Sequence, residues 1–326
     1  MSAAVTMPDL RLLVVRLGAM GDILHALPAV ASLKASHPAA RITWAIEPRW
    51  APLLEGNPYL DRLVMVRRGS LASLRETWRE LRSERYHCAV DFQGLLKSAL
   101  VAKAARPGRL FGFDRTQVRE PAATLFYSDT VHSSASHRAD QCLDLAAAVP
   151  GTNTRFHEFS LPQGRPEGEL PAGDFVLASP VAGWRGKQWP LEFYGALAER
   201  LRRELGLPLV WNVPSTGKVP VVEGVGIHVS SLEGLIWATR RATAIVGVDS
   251  GPMHLAAALG KPGVAIFGPT DPARNGPYQA NAGLRVLRDA GAVTTYKRGD
   301  TIDDSMRRIS PGQVFETLRE ALGFVG

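Results

Sequence analysis

Cysteine is nearly absent: the 326-residue chain has only Cys88 and Cys142, far apart and without histidines or acids around them at metal-ligand spacing. Neither a disulfide framework nor a cysteine-based metal site is indicated, and two reduced thiols fit a cytoplasmic address. Long apolar runs are absent too, none approaching the roughly 20 residues that a membrane-spanning helix needs. The lead from Met1 to Asp9 lacks the basic-then-apolar order of a signal peptide. Any membrane contact is therefore expected to be peripheral.

Several chemical signatures are missing as well. No Gly-x-Gly-x-x-Gly follows the first apolar run, which disfavours a nicotinamide cofactor. The phosphate-binding P-loop and the Gly-x-Ser-x-Gly elbow are absent, which lowers kinase and hydrolase readings. No Asp-x-Asp motif is present to hold a metal-bound nucleotide sugar, so neither a metal nor a cofactor is expected. Basic residues do not interleave with aromatic ones, and this argues against nucleic acid as a partner.

What the chain does have is a large apolar fraction, 45%, and 38 basic against 31 acidic side chains for a net charge of +7. The first supports a sizeable core split into two domains, and the second favours an anionic partner. Leu10 to Val15 reads as a buried strand, followed by a Gly-containing turn and helical spacing over Ile23 to Ser36. Strand-like runs recur at Arg41 to Ile46, Leu63 to Val66, Cys88 to Val90 and Arg109 to Phe111, with helical periodicity at Leu71 to Arg82. The pattern lapses over Val149 to Pro171 into turn residues and then restarts. Strands are expected at Asp174 to Ala178, Pro208 to Trp211, Ala244 to Val248 and Val264 to Phe267, and helices at Leu191 to Leu205, Leu232 to Thr239, Gly251 to Leu259 and Gly312 to Leu322. Such alternation predicts an α/β chain of two Rossmann-like domains facing a central cleft, with ligands outside the carboxyl ends of the strands. The expected divisions are 1–155, 172–310 and a terminal helix over 311–326.

Four segments lie at strand exits. In Arg16-Leu17-Gly18-Ala19-Met20-Gly21-Asp22-Ile23-Leu24-His25, the aspartate reads either as a helix N-cap or as a chemical group at a cleft mouth. In Val248-Asp249-Ser250-Gly251-Pro252-Met253-His254, the helix start offers the amides of Gly251, Met253 and His254 to an anion, or Asp249 and Ser250 merely cap it. The loop Gly183 to Pro190 carries Arg185 and Lys187, suited to a diphosphate or simply solvated. Phe267-Gly268-Pro269-Thr270-Asp271-Pro272 is explained by its own turn chemistry. The turn Asp91 to Ser98 and the stretch Arg109 to Arg119 add Lys97, Arg115 and Arg119, which either receive an acidic acceptor or form a solvated basic face.

In this order the motifs resemble the ADP-heptose:lipopolysaccharide heptosyltransferases, glycosyltransferase family 9, and within it the heptosyltransferase I branch. The similarity runs from about Leu10 to the last helix. It is most specific in Met20 to Ala29, Asp91 to Ala99, Arg119 to Tyr127, Lys187 to Pro190, Ser231 to Gly234 and Asp249 to Leu259. The resemblance implies a GT-B fold whose last helix packs back on the first domain. It implies inverting transfer of L-glycero-D-manno-heptose from ADP-heptose to Kdo of Kdo-lipid A; with the positive charge, the lipid acceptor suggests peripheral attachment at the cytoplasmic face of the inner membrane, and a monomer is expected. Asp22 matches the family's catalytic base. Lys187, Glu233, Asp249, Ser250, Gly251 and His254 match its donor site: the lysine at the diphosphate, the glutamate at the ribose, Asp249 at the heptose hydroxyls and the rest at the phosphates. Arg119, with Lys97 and Arg115, falls where the acceptor is received.

The chain departs from the pattern at Gly18-Ala19, where many relatives have two serines, at Ser250 and Pro252, and in the segment Asn212 to Val229, which looks shortened. Three other readings stand beside this one. A family relative with another donor or acceptor would use the same machinery. A nucleotide-sugar epimerase would want several acids around the sugar, and the basic Arg109 to Arg119 stretch argues against it. A non-catalytic binding protein would have no need of Asp22.

Overall fold

The computed structural model describes residues 9–67, 69–215, 221–278 and 283–324. Most of the Met1 to Asp9 lead, and part of the Asn212 to Val229 segment, lie outside them. The chain divides into two compact units, Met1–Pro162 and Gln163–Gly326, and the division falls inside the turn-rich interval between the two expected domains.

Among the described residues the first unit holds six strands: β1 (Arg11–Val15), β2 (Arg41–Ile46), β3 (Arg62–Met65), β4 (Cys88–Asp91), β5 (Arg109–Phe113) and β6 (Asp129–Val131). All pair in parallel, in the order β3-β2-β1-β4-β5-β6. A parallel strand covered on both faces must be apolar on both, and Leu12, Leu13, Val14 and Val15 of the central β1 are fully buried. Its helices are α1 (Met20–Ser36), α2 (Leu71–Leu81), α3 (Leu96–Ala104) and α4 (Arg138–Ala147). Helix α1 packs against α4 and is buried from Ile23 through Leu33, which explains why it is apolar nearly all round.

The second unit repeats the plan with β7 (Val176–Ser179), β8 (Leu209–Pro214), β9 (Val225–Ser230), β10 (Ala244–Val248), β11 (Gly263–Phe267) and β12 (Leu284–Arg288). These too are parallel, in the order β12-β11-β10-β7-β8-β9. Around them lie α5 (Leu191–Leu205), α6 (Leu232–Arg241), α7 (Gly251–Ala258), and the shorter α8 (Pro272–Asn275), α9 (Asp304–Arg308) and α10 (Pro311–Ala321). Helix α5 stops at Gly206, whose φ of 69° is the left-handed conformation that a side chain resists. The core centres on Trp189, Tyr194 and Trp211, stacked edge to face at 4.8 and 5.4 Å.

One expectation is overturned. The terminal helix α10 buries Val314, Phe315 and Leu318 in the same core as Trp189 and Tyr194, and it packs on α5, β11 and β12. Its apolar face is thereby used up inside the second unit, where it was expected to serve the first.

Numbered within its own unit, each sheet has strand order 3-2-1-4-5-6, the two-fold winding in which the chain reverses direction beside its first strand. The reversal lies between β1 and β4 in one unit and between β7 and β10 in the other. Loops leaving the carboxyl ends of those four strands diverge and open a crevice; Asp22, Lys97, Lys187 and Asp249 to His254 lie on or just after them, whereas Arg115 and Arg119 follow β5 and Glu233 follows β9. Phe315→Ala is expected to destabilise the second unit by about 3–5 kcal/mol. Hydrogen exchange should quicken in α5 and β11 and stay unchanged in β1 and β4; the reverse pattern would contradict the placement of α10.

Candidate functional site

At the end of β1 the chain turns through Arg16 to Ala19 into α1. Ala19 is the N-cap residue. Asp22 is the third residue of the helix, so the N-cap reading of Asp22 is corrected. Its Oδ2 reaches back to the Ala19 N–H at 3.4 Å, while Oδ1 meets Nη2 of Arg16 at 2.6 Å. Arg119 lies 3.6 Å from Oδ2. Burial alone raises the pKa of Asp22, but the charges of Arg16 and Arg119 and the Ala19 amide outweigh it and hold the carboxyl below its ordinary range.

The cation is itself fixed. Arg16 is 7% exposed and donates to the Phe92 carbonyl, and its own carbonyl accepts the Trp44 indole N–H at 3.0 Å. The Leu17 amide donates to Gln93 at 2.8 Å, binding the turn after β1 to the turn after β4. Gly18 is required by packing, because a Cβ there would lie 2.6 Å from the Trp50 indole nitrogen. A serine at that position would need Trp50 to move.

The turn after β4 is organised by Asp91. One carboxylate oxygen accepts from the Gln93 and Gly94 amides at 2.9 and 3.4 Å. The other accepts from the Ser98 and Tyr127 hydroxyls, both at 2.8 Å. Burial pushes the Asp91 pKa up despite these bonds, and full enclosure gives it a structural role. Gly94 has φ 68°, and its carbonyl accepts from the amides of Arg119 and Glu120 at 3.1 and 3.2 Å. Through that contact the turn sets Arg119 beside Asp22.

A cavity opens over Asp22, lined also by Arg16, Arg119, His25, Arg138 and Gln141. Of the three acceptor-site residues expected, only Arg119 is in it. Lys97 is turned to Glu47, 3.8 Å away, and Arg115 is exposed on the turn after β5 and does not line the cavity. Arg16, His25 and Arg138 were not assigned to the site from sequence. Arg16 and His25 flank Asp22 in the motif itself, whereas Arg138 arrives on α4, and only the packing of α4 on α1 brings it in.

In the second unit, Lys187 follows β7 and Asp249 follows β10, and their side chains meet at 2.9 Å. His254 Nε2 is 3.6 Å from the other Asp249 oxygen. Burial raises the Asp249 pKa, yet His254 and Lys187 together hold it well below the ordinary range. Lys187 is placed by its neighbour Trp189, buried and donating its indole N–H to Ile309 at 2.9 Å.

Ser250 is the N-cap residue of α7, but its hydroxyl does not cap the helix and is buried without a hydrogen-bond partner. The His254 amide is already bonded to the Ser250 carbonyl at 3.2 Å. The amides that α7 offers an anion are therefore those of Gly251 and Met253, not His254 as expected. Glu233, in the first turn of α6, pairs with Arg165 at 3.3 Å. Thr270, after β11, has a second buried hydroxyl without a partner; the turn chemistry of its segment had concealed it.

Comparison with known proteins accords with this geometry. E. coli heptosyltransferase WaaC with ADP superposes with a TM-score of 0.75 at 24% identity, covering 96% of this chain and 100% of that one. The same enzyme with ADP-2-deoxy-2-fluoro heptose gives 0.73 at 24% identity, covering 95% and 99%. The fold is thus that of a glycosyltransferase with two Rossmann-like domains, the GT-B class. Lipopolysaccharide heptosyltransferase 1 of Escherichia coli strain K12 is 29% identical over 300 residues, 83% of this chain and 92% of that protein. The model of glycosyltransferase family 9 (heptosyltransferase) matches residues 74–304, and the chain belongs to this family.

Arg16→Met is expected to raise the pKa of Asp22, read by carbon-detected NMR titration, by about one to three pH units. Because the folded-state pKa is depressed, the pair's stabilisation is present above the unfolded value and fades as pH falls through the folded one. An unmoved titration would show that Arg16 does not hold the charge.

Proposed function

We propose that the protein transfers L-glycero-D-manno-heptose from ADP-heptose to a Kdo hydroxyl of Kdo-lipid A, with inversion, in the building of the lipopolysaccharide inner core. The observation that carries this reading is the ionised Asp22 carboxylate, held among cations over a cavity at the chain-reversal point of the first sheet. In this account the acceptor hydroxyl attacks the anomeric carbon, the bond to the diphosphate breaks, and Asp22 takes the hydroxyl proton. A single displacement inverts the centre. Arg119 and Arg138 receive the acidic acceptor.

Charge that grows on the departing ADP is met in the second unit. Lys187 commits one of its three N–H donors to Asp249, leaving two for the diphosphate. The Gly251 and Met253 amides and the Ser250 hydroxyl add to it, with His254 alongside. Asp249 takes the heptose hydroxyls, and Glu233 exchanges Arg165 for the ribose. A fixed lysine and a helix start supply this stabilisation without a metal. Among relatives, the name lipopolysaccharide heptosyltransferase 1 and the bound ADP-2-deoxy-2-fluoro heptose of WaaC support the choice of donor and pathway. The lipid-borne acceptor places the enzyme peripherally at the cytoplasmic leaflet.

The test is release of ADP from ADP-heptose by the purified protein with chelator present, with Kdo-lipid A or with lipid A lacking Kdo, and proton NMR of the product's anomeric centre. Release that requires Kdo, survives chelation and gives an inverted product is expected. Release without Kdo, or loss of activity with the chelator, would contradict the reading.

A further inference from the structure

Helix α2 buries Thr77 and Leu81 and leaves Leu71, Leu74 and Trp78 outside, with Leu71 75% exposed. At about 100° per residue, the exposed apolar stripe of Leu74, Trp78 and Leu71 runs directly on from the buried edge. Next around the helix come Arg82, Arg75 and Arg79, and only then Glu76 and Glu80. The two glutamates are neutralised from elsewhere, by Arg67 at 3.9 Å and Arg62 at 3.4 Å. Arg75 and Arg79 enter no ion pair among the described residues. The apolar stripe is wider than the core beneath it and is bordered by cations on its open side.

The neighbouring elements expose apolar side chains too. On α3, Leu100 is half exposed with Lys103 one turn away, and the 3-10 turn Pro121–Phe126 packed on α3 leaves Leu125 84% exposed. The guanidinium of Arg82 lies over the Trp78 ring at 3.6 Å. Arg82, Arg85 and Arg106 also gather at a pocket of about 840 Å³ at the amino ends of β1, β4 and β5. Exposed leucines and a tryptophan bordered by arginines have the composition of a bilayer interface, where apolar side chains enter below the phosphates and cations pair with them.

We propose that this α2–α3 face is a docking surface for an anionic phospholipid bilayer, with Leu71, Leu74 and Trp78 entering the headgroup region and the arginines pairing with lipid phosphates. The stripe begins at Leu71, the first residue of the helix that follows β3, at the carboxyl end of the sheet where Asp22 also lies. Docking there would keep the site close to an acceptor that remains in the membrane. The proposal thus deepens the reading of a lipid-borne acceptor and rests on it only for its purpose.

The experiment is co-sedimentation with vesicles of phosphatidylcholine alone or mixed with phosphatidylglycerol, at low and high salt. Wild type is compared with a Leu71→Ser, Leu74→Ser, Trp78→Ser triple variant and with Arg75→Glu, Arg79→Glu. Wild type is expected to bind the anionic vesicles in a salt-sensitive way. Each variant should bind about tenfold more weakly or worse, with unchanged affinity for ADP and unchanged turnover of detergent-dispersed acceptor showing that both units are intact. Variants that sediment as wild type does, or a wild type indifferent to anionic lipid, would overturn the surface. Variant-sensitive vesicle binding by a protein that turns over no Kdo-lipid A would support the surface while removing the acceptor reading.

Discussion

The Arg16–Asp22 ion pair is the constraint to which the first unit is fitted. A carboxylate drawn largely out of water is costly without a partner, and Asp22 stays charged because Arg16 sits 2.6 Å away. Arg16 in turn requires the Phe92 carbonyl, and hence the turn that Asp91 organises. That turn requires Gly94, whose carbonyl carries the amide of Arg119. Four consecutive dependencies, each a hydrogen bond or ion pair, end on one carboxylate aimed into a cavity. In the proposed reaction the price is a weak base, and the same cations would compensate by favouring charge on the attacking oxygen.

The second unit uses the same winding for the opposite purpose. Where the first gathers positive groups around a carboxylate of its own, the second gathers a lysine, a helix start and unpartnered hydroxyls suited to an anion from outside. In each unit the central carboxylate or lysine comes from the divergent loops after the first and fourth strands, Asp22 after β1, Lys187 after β7 and Asp249 after β10, while Arg119 and Thr270 come from the loop after the fifth. Asp249 corresponds in position to Asp91, yet the two differ in consequence: Asp91 is enclosed by neutral donors, and Asp249 by Lys187 and His254.

Most of the frame was legible in the sequence, because buried parallel strands are apolar throughout and stand out from the helices between them. The bounds of β2, β10 and α5 are as read, and the two-domain α/β class holds. The strands β6, β9 and β12 were not read, being edge strands with mixed exposure, as in Leu284–Arg288, where only Leu284 is buried. The position of α10 was read from family resemblance, and the burial of Phe315 beside Tyr194 decides it otherwise. In the site, strand-exit motifs pointed to Asp22, Lys187 and Asp249. Arg138 and the hydroxyl of Thr270 carry no local signature, since the first joins the cavity through helix packing and the second differs from a turn threonine only in lacking a partner.

The central claim is that Asp22 acts on the acceptor proton and does not hold the donor. Asp22→Asn keeps the shape and removes the charge, so donor binding and turnover should separate. Calorimetric affinity for ADP should match wild type, while the rate of heptose transfer falls by about 10²–10⁴-fold. Wild-type transfer by the variant would contradict the account, and equal losses of binding and rate would make Asp22 a binding group instead.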